Sequence, residues 1–150
     1  YGSTTGGKAA TLMAPGTVDR LILTGSPGSG VDSIGEYNVP KENVYVSAVP
    51  EGDTVEGLGP DSSFGKDPRE LKGITHLSDD ATDAKGYWQP LPHDVVPWKR
   101  TKDIYAHKFA NHMSYFKEGT RTSQDFANII AGGNQTTDEE WAAIQKERGK

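Results

Sequence analysis

The chain has 150 residues, the length of one domain, and a formal net charge of −5 from 16 basic and 21 acidic side chains. This charge, without a basic run, argues against nucleic acid or an anionic membrane surface as a partner. No apolar stretch approaches the roughly 20 residues of a membrane span. The absence of cysteine excludes disulfides, thiolate metal sites and cysteine nucleophiles, and it leaves the cellular compartment open.

The apolar content is low for a domain that completes its own core. Only 33% of the residues are hydrophobic, and the mean hydropathy is −0.67. The apolar residues form short clusters between long polar stretches. This pattern suits a chain whose sheet is shared with strands that lie outside it.

The first third of the chain predicts a helix and two strands. Small residues at 3–13 (STTGGKAATLM) favour a helix packed closely on a sheet, ended by a Pro-Gly pair. Residues 18–24 (VDRLILT) predict a buried strand, because the Leu-Ile-Leu run is too short for a helix. A glycine-rich loop at 25–30 (GSPGSG) follows, and residues 43–49 (NVYVSAV) predict the second strand.

The rest of the chain predicts a long insertion and two helices. Residues 57–103 lose periodicity, and we interpret them as an insertion or a loop that walls a pocket. Thr122 or Ser123 is expected to cap the first helix, which a Gly-Gly pair ends. The TDEE segment at 137–140 has the form of a capping box and predicts the second helix, with Trp141 and Ile144 on its apolar stripe.

This order of elements predicts an α/β architecture with parallel strands flanked by helices. Two strands are too few to form a complete sheet. We therefore expect residues 1–132 to be the C-terminal portion of a larger α/β domain, and residues 133–150 to form a C-terminal helix.

Asp53 follows the second predicted strand, directly after a glycine. In open parallel sheets, ligands and catalytic groups gather beyond the carboxyl ends of the strands. An aspartate on that rim can orient an imidazole. Gly-Asp is also common in ordinary turns, so for this residue alone both interpretations stay open.

His112 lies in a polar and aromatic segment (NHMSYF, residues 111–116) well after Asp53. Imidazole exchanges protons near neutral pH, which suits a general base. A lone histidine is more often a surface or structural residue, and we interpret His76, His93 and His107 in that way.

Tyr1 and Gly2 come directly before the first predicted helix. α/β-Hydrolases carry their nucleophile in a Gly-x-Ser-x-Gly turn between a strand and a helix, and their triad follows the order Ser, Asp or Glu, His. Tyr1 and Gly2 fit the last two positions of this elbow, where a side chain on the glycine would collide with the turn. The nucleophilic serine is then expected immediately before Tyr1, and Asp53 and His112 follow in the required order.

Several blocks of sequence carry a family resemblance. They are YGSTT at 1–5, LILTGSPGSGVD at 21–32, VYV at 44–46, GPD with FG at 59–65, and HMSYF at 112–116. They resemble a family of actinobacterial α/β-hydrolases whose nucleophile stretch reads Gly-His-Ser-Tyr-Gly-Ser and whose next strand ends in Gly-Ser-Pro-Gly. The resemblance covers residues 1–132 and departs from the family at 71–103, so it assigns neither the shape of the pocket nor the substrate.

The resemblance implies a serine hydrolase of the esterase, lipase or amidase kind, without a cofactor or a metal. Asp53 would be the triad acid, His112 the general base, and Tyr1 the donor of an oxyanion-hole N–H. The implied partners are a small-molecule ester or amide and the N-terminal half of the same protein. The localisation is left unknown: the expectation is a soluble bacterial protein, cytoplasmic or secreted.

Two other functions fit the sequence poorly, and a third stays open. A nucleotide-binding P-loop needs a lysine and a hydroxyl residue after its last glycine, where this chain has Val31 and Asp32. A metal hydrolase of the H-E-x-x-H type is excluded because that motif does not occur. The alternative to an enzyme is a non-catalytic fragment, or a binding module that needs a partner or its N-terminal half.

The gene sequence upstream of Tyr1 tests the elbow directly. We predict that the three codons before Tyr1 encode Gly-x-Ser, because the elbow requires the serine at that position. Sequencing the genomic locus is the measurement. A start codon or an unrelated triplet there would favour the non-catalytic alternative.

Overall fold

The computed structural model describes five parts of the chain: residues 2–48, 53, 55, 63–78 and 111–149. Its helices and strands within these parts are α1 Gly2–Leu12, β1 Leu21–Thr24, β2 Val44–Ser47, β3 Thr75–His76, α2 Arg121–Ile130 and α3 Asp138–Glu147. Tyr1 and most of the predicted insertion at 57–103 lie outside the described residues.

The three strands form one parallel sheet in the order β1-β2-β3. Leu21 pairs with Val44, and Tyr45 pairs with Thr75. The helix at the start and the first two strands are confirmed, with shorter bounds for the strands. β3 was not predicted, because two residues within the supposed insertion are too few to show an alternating pattern.

Buried side chains lie on both faces of the sheet, because successive residues of a strand point to opposite sides. One cluster joins α1 to one face through Ala10, Leu21, Leu23, Val31, Ile34, Tyr37, Val39, Val44, Val46, Leu71 and Ile74. The other joins α2 to the opposite face through Tyr45, Leu77, Tyr115, Phe126 and Ile129, with Ile22 packed beside them. The chain is therefore a small parallel sheet with helices, a partial α/β fold.

Helix α2 begins two or three residues earlier than the sequence predicts. Its N-cap is Thr120, whose Oγ1 accepts a hydrogen bond from the backbone N–H of Ser123 at 3.2 Å. Thr122 does not cap the helix, because its fully buried hydroxyl donates to the carbonyl of Ser78 at 2.9 Å. The predicted caps at Thr122 or Ser123 are thus wrong by two or three residues, and the tertiary contact to Ser78 is the reason.

The capping box of α3 is confirmed. Thr137 accepts a hydrogen bond from the N–H of Glu140, and the Glu140 carboxylate accepts one from the N–H of Thr137. Trp141 and Ile144 are half-buried, and α3 has no fully buried residue. This helix is therefore held at the surface by one shallow stripe rather than by a core face.

The helices are short. They contain 11, 10 and 10 residues, whereas a membrane span needs about 20. No helix in the described parts of the chain is long and apolar enough to cross a membrane.

Two neighbouring glycines of α1 test how closely this helix packs on the sheet. A Cβ at Gly7 would lie 2.6 Å from Cβ of Ser29, whereas a Cβ at Gly6 would meet nothing within 4 Å. We predict that Gly7→Ala destabilises the protein by about 1–3 kcal/mol through overpacking. Gly6→Ala, its matched control, should stabilise by up to about 1 kcal/mol because alanine favours the helix.

Urea unfolding followed by circular dichroism measures both free energies of unfolding. Equal effects of the two substitutions would contradict the close packing of α1 on β1.

Candidate active site

The carboxyl ends of β1 and β2 bring two loops together. β1 ends at Thr24, and the backbone N–H of Gly25 donates to the carbonyl of Ser47, the last residue of β2, at 3.2 Å. Asp53 follows β2 with a side chain that has no exposed surface. The acid therefore lies at the edge of the sheet where functional groups of α/β folds gather.

His112 pairs with this buried acid. Its Nδ1 lies 2.7 Å from Oδ1 and 2.8 Å from Oδ2 of Asp53. Because a carboxylate only accepts hydrogen bonds, this contact favours the tautomer with the proton on Nδ1, which leaves a lone pair on Nε2. The His112 side chain is 29% exposed. The acid–histidine pair, Asp53 with His112, thus has one buried and one accessible partner.

Two further donors satisfy the Asp53 carboxylate. The backbone N–H of Val55 donates to Oδ1 at 2.8 Å, and the hydroxyl of Tyr115 donates to Oδ2 at 3.0 Å. A buried carboxylate is costly unless hydrogen bonds replace its lost hydration. The hydrogen bonds from Val55 and Tyr115 therefore replace part of the hydration that the Asp53 carboxylate loses on burial.

Gly25 is required for the acid–histidine pair to fit. Its φ is +48°, and a Cβ there would overlap Oδ2 of Asp53 and lie 2.9 Å from Cε2 of Tyr115 and 3.1 Å from Nδ1 of His112. Sequence reasoning assigned this residue only to a loop. A glycine directly after a buried strand often marks a place where another group packs closely against the backbone, and this pattern could have indicated the role of Gly25.

The start of α1 is fixed at the same edge of the sheet. The hydroxyl of Ser3 donates to the carbonyl of Thr24 at 2.7 Å and accepts from the N–H of Thr24 at 2.9 Å. Gly2 is the first residue of α1, and no atom lies within 4 Å of a Cβ built there. A side chain at Gly2 would therefore not collide with any of the described residues packed around it, in contrast to what the elbow predicts.

A cleft of about 390 Å³ runs along the whole of β1, between the first turns of α1 and the segment that carries His112. Its lining includes Gly2 and Ser3 on one side and His112 on the other. Met113 and Phe116 also line it, with 55% and 73% of their surfaces exposed. A reacting group in this cleft would meet an imidazole beside apolar surface.

The glycine-rich loop after β1 packs on protein rather than forming a phosphate cradle. The N–H of Gly30 donates to the carbonyl of Phe64 at 2.6 Å, and a Cβ at Gly28 would overlap the same carbonyl. These contacts agree with the argument from sequence against a P-loop. Within the described residues, no group of three or more His, Asp or Glu side chains could hold a metal ion.

The structure brings together two of the four site residues that the sequence singled out. Asp53 and His112 are in contact, Gly2 lines the same cleft, and Tyr1 lies outside the described residues. Sequence reasoning missed Tyr115 and Gly25, which surround the carboxylate. Comparison of the chain with protein-family models, curated proteins and solved structures finds no match.

Substitution of Gly25 tests the crowding around the acid. We predict that Gly25→Ala lowers the free energy of unfolding. The left-handed backbone at this position should cost alanine about 1–2 kcal/mol, and the overlap with Asp53 should cost about 1–3 kcal/mol more. Gly16→Ala is the matched control, since Gly16 has φ +84° and no atom within 4 Å of its Cβ position. The free energy of unfolding of Gly16→Ala should therefore fall only by the cost of the left-handed backbone.

Urea unfolding gives both stabilities, and the NMR signal of the His112 ring N–H reports on the acid–histidine pair. Gly25→Ala should perturb this signal, whereas Gly16→Ala should not. Equal stability losses with an unchanged signal in both variants would contradict the contact.

Proposed function

We propose that this chain is the C-terminal part of a serine α/β-hydrolase that cleaves small-molecule esters or amides. The observation that carries the proposal is the contact of His112 Nδ1 with both oxygens of the buried Asp53 carboxylate, at 2.7 and 2.8 Å. In this proposal Asp53 is the triad acid and His112 the general base. The nucleophile is a serine immediately before Tyr1.

The geometry supports a defined path for the proton. Nε2 of His112 removes the proton from the serine hydroxyl as the serine oxygen attacks the carbonyl carbon of the substrate. Asp53 keeps the imidazole in the required tautomer and stabilises its positive charge. The imidazolium then protonates the leaving group, and the acyl-enzyme is formed. In the second half, His112 takes a proton from water as the water oxygen attacks the acyl carbon. The imidazolium returns this proton to the serine oxygen as the acyl–serine bond breaks and the acid product is released.

The position of α1 supports the proposed site of the nucleophile. Ser3 holds the first turn of α1 against Thr24, beside the cleft that His112 lines. A preceding parallel strand on the open side of β1 would end at this same edge and lead directly into α1. Such a strand would occupy the cleft alongside β1, and a serine at the turn after it would lie at the edge of the sheet where His112 lines the cleft. The backbone N–H that follows this serine would stabilise an oxyanion.

Ser3 is the nearest serine to the predicted elbow, but it is poorly suited to attack. Its O–H donates to the Thr24 carbonyl, and its oxygen accepts from the Thr24 N–H. Both contacts fix the helix to the strand. They also hold the hydroxyl on the backbone of Thr24, where it is not placed to attack a substrate. Labelling of Ser3 by an active-site serine probe would place the elbow in a different register.

Replacement of His112 and Asp53 tests the proposed triad. In the chain extended upstream by its own gene sequence, we predict that His112→Ala and Asp53→Asn lower turnover of a p-nitrophenyl ester by about 10⁴-fold or more, because the serine loses its base or the base loses its tautomer. Labelling by a fluorophosphonate probe should be lost in parallel.

His76→Ala is the control, since His76 is exposed on β3 and lies apart from the acid–histidine pair. It should keep full activity. Activity that survives His112→Ala would rule out the triad. The 150-residue chain alone should not turn over the ester, and measurable turnover by it would contradict a nucleophile located before Tyr1.

A further inference from the structure

We propose that Tyr115 is a positioning residue that holds the Asp53 carboxylate in register with His112. The inference rests on the proposed function, because it assigns Tyr115 a part in the same acid–base chemistry. Tyr115 acts through Asp53 and His112 and needs no contact with the substrate through its hydroxyl.

The first support is the hydrogen bond itself. The Tyr115 hydroxyl donates to Oδ2 of Asp53 at 3.0 Å, and the tyrosine is only 2% exposed. A hydrogen bond to a charged group in such surroundings is stronger than one between neutral groups in water. The phenol therefore contributes to the stability of the charged acid as well as filling space.

The second support is that each oxygen of the Asp53 carboxylate accepts a hydrogen bond from a different donor. Oδ1 accepts from the N–H of Val55, and Oδ2 accepts from Tyr115. Because each oxygen has its own donor, rotation of the carboxyl group about its bond would break both contacts. The orientation that presents both oxygens to His112 is thus fixed from two sides.

The third support is that Tyr115 and His112 lie in one hydrogen-bonded segment of the chain. The hydroxyl and the N–H of Ser114 both donate to the carbonyl of Asn111, at 2.7 and 3.0 Å. The rings of His112 and Tyr115 meet edge to face, with centroids 6.3 Å apart and planes at 87°. The base and the group that orients its acid are therefore fixed relative to each other.

Removal of the hydroxyl alone isolates this role. We expect Tyr115→Phe to lower kcat for a p-nitrophenyl ester by about 10- to 100-fold, the range expected for a lost hydrogen bond to a charged group. KM should change little, because the hydroxyl binds the acid and not the substrate. The NMR signal of the His112 ring N–H should shift in the same variant, since its acceptor is less well fixed.

Tyr37→Phe is the matched control. Tyr37 is also buried, at 3% exposure, and its hydroxyl lies 2.6 Å from Oγ of Ser29, in the cluster on the other face of the sheet. It removes a buried phenol hydrogen bond without touching Asp53. It should leave kcat and the His112 signal unchanged. If Tyr115→Phe behaves like Tyr37→Phe in both measurements, the positioning role is refuted.

The two readouts separate this inference from the proposed function. A His112 signal that responds to Tyr115→Phe in a protein without ester turnover would overturn the hydrolase and keep the positioning role of Tyr115 on Asp53. Ester turnover that Tyr115→Phe leaves unchanged would keep the hydrolase and overturn the positioning role.

If Tyr115→Phe does not fold, 3-fluorotyrosine at position 115 replaces it, because this residue keeps the ring and makes the hydroxyl a stronger donor. The His112 signal should then shift, and an unchanged signal would refute the inference.

Discussion

The buried carboxylate of Asp53 is the constraint on which the rest of the site depends. Its side chain has no exposed surface, so its charge must be stabilised by donors that the protein supplies. One donor is local, the N–H of Val55, whereas His112 and Tyr115 are 59 and 62 residues away. The acid therefore ties the loop after β2 to the segment before α2, and this link crosses the least regular part of the sequence.

Tyr115 connects this polar link to the hydrophobic core. Its ring belongs to the cluster that joins Tyr45 on the sheet to Phe126 and Ile129 on α2, while its hydroxyl reaches Asp53. A change in the packing of α2 would thus be transmitted to the orientation of the acid. Tyr115 therefore takes part both in the packing of α2 and in the hydrogen bonding of Asp53, which couples local stability to the geometry of the acid–histidine pair.

The sequence predicted the parts of the structure that depend on local pattern. The helix at the start, the first two strands and the capping box at Thr137 follow from residue types at short spacing, and Asp53 and His112 were selected by their order along the chain. β3 was missed because two residues carry no periodicity. The cap at Thr120 was missed because Ser78, distant in sequence, recruits the hydroxyl of Thr122. Tyr115 and Gly25 could not be assigned for the same reason: their importance arises from contacts with a side chain that the fold brings to them.

The exposed fraction of the side chains rises from Asp53 through His112 to Met113 and Phe116. Asp53 is fully buried, His112 is 29% exposed, and Met113 and Phe116 beyond it are more than half exposed along the cleft. Charge on the acid is shielded from water, so its effect on the imidazole is stronger than it would be at the surface. His112 also lines a cleft whose walls include the apolar side chains of Met113 and Phe116. A surface salt bridge would have neither property, and this asymmetry supports the proposal that the acid–histidine pair takes part in proton transfer.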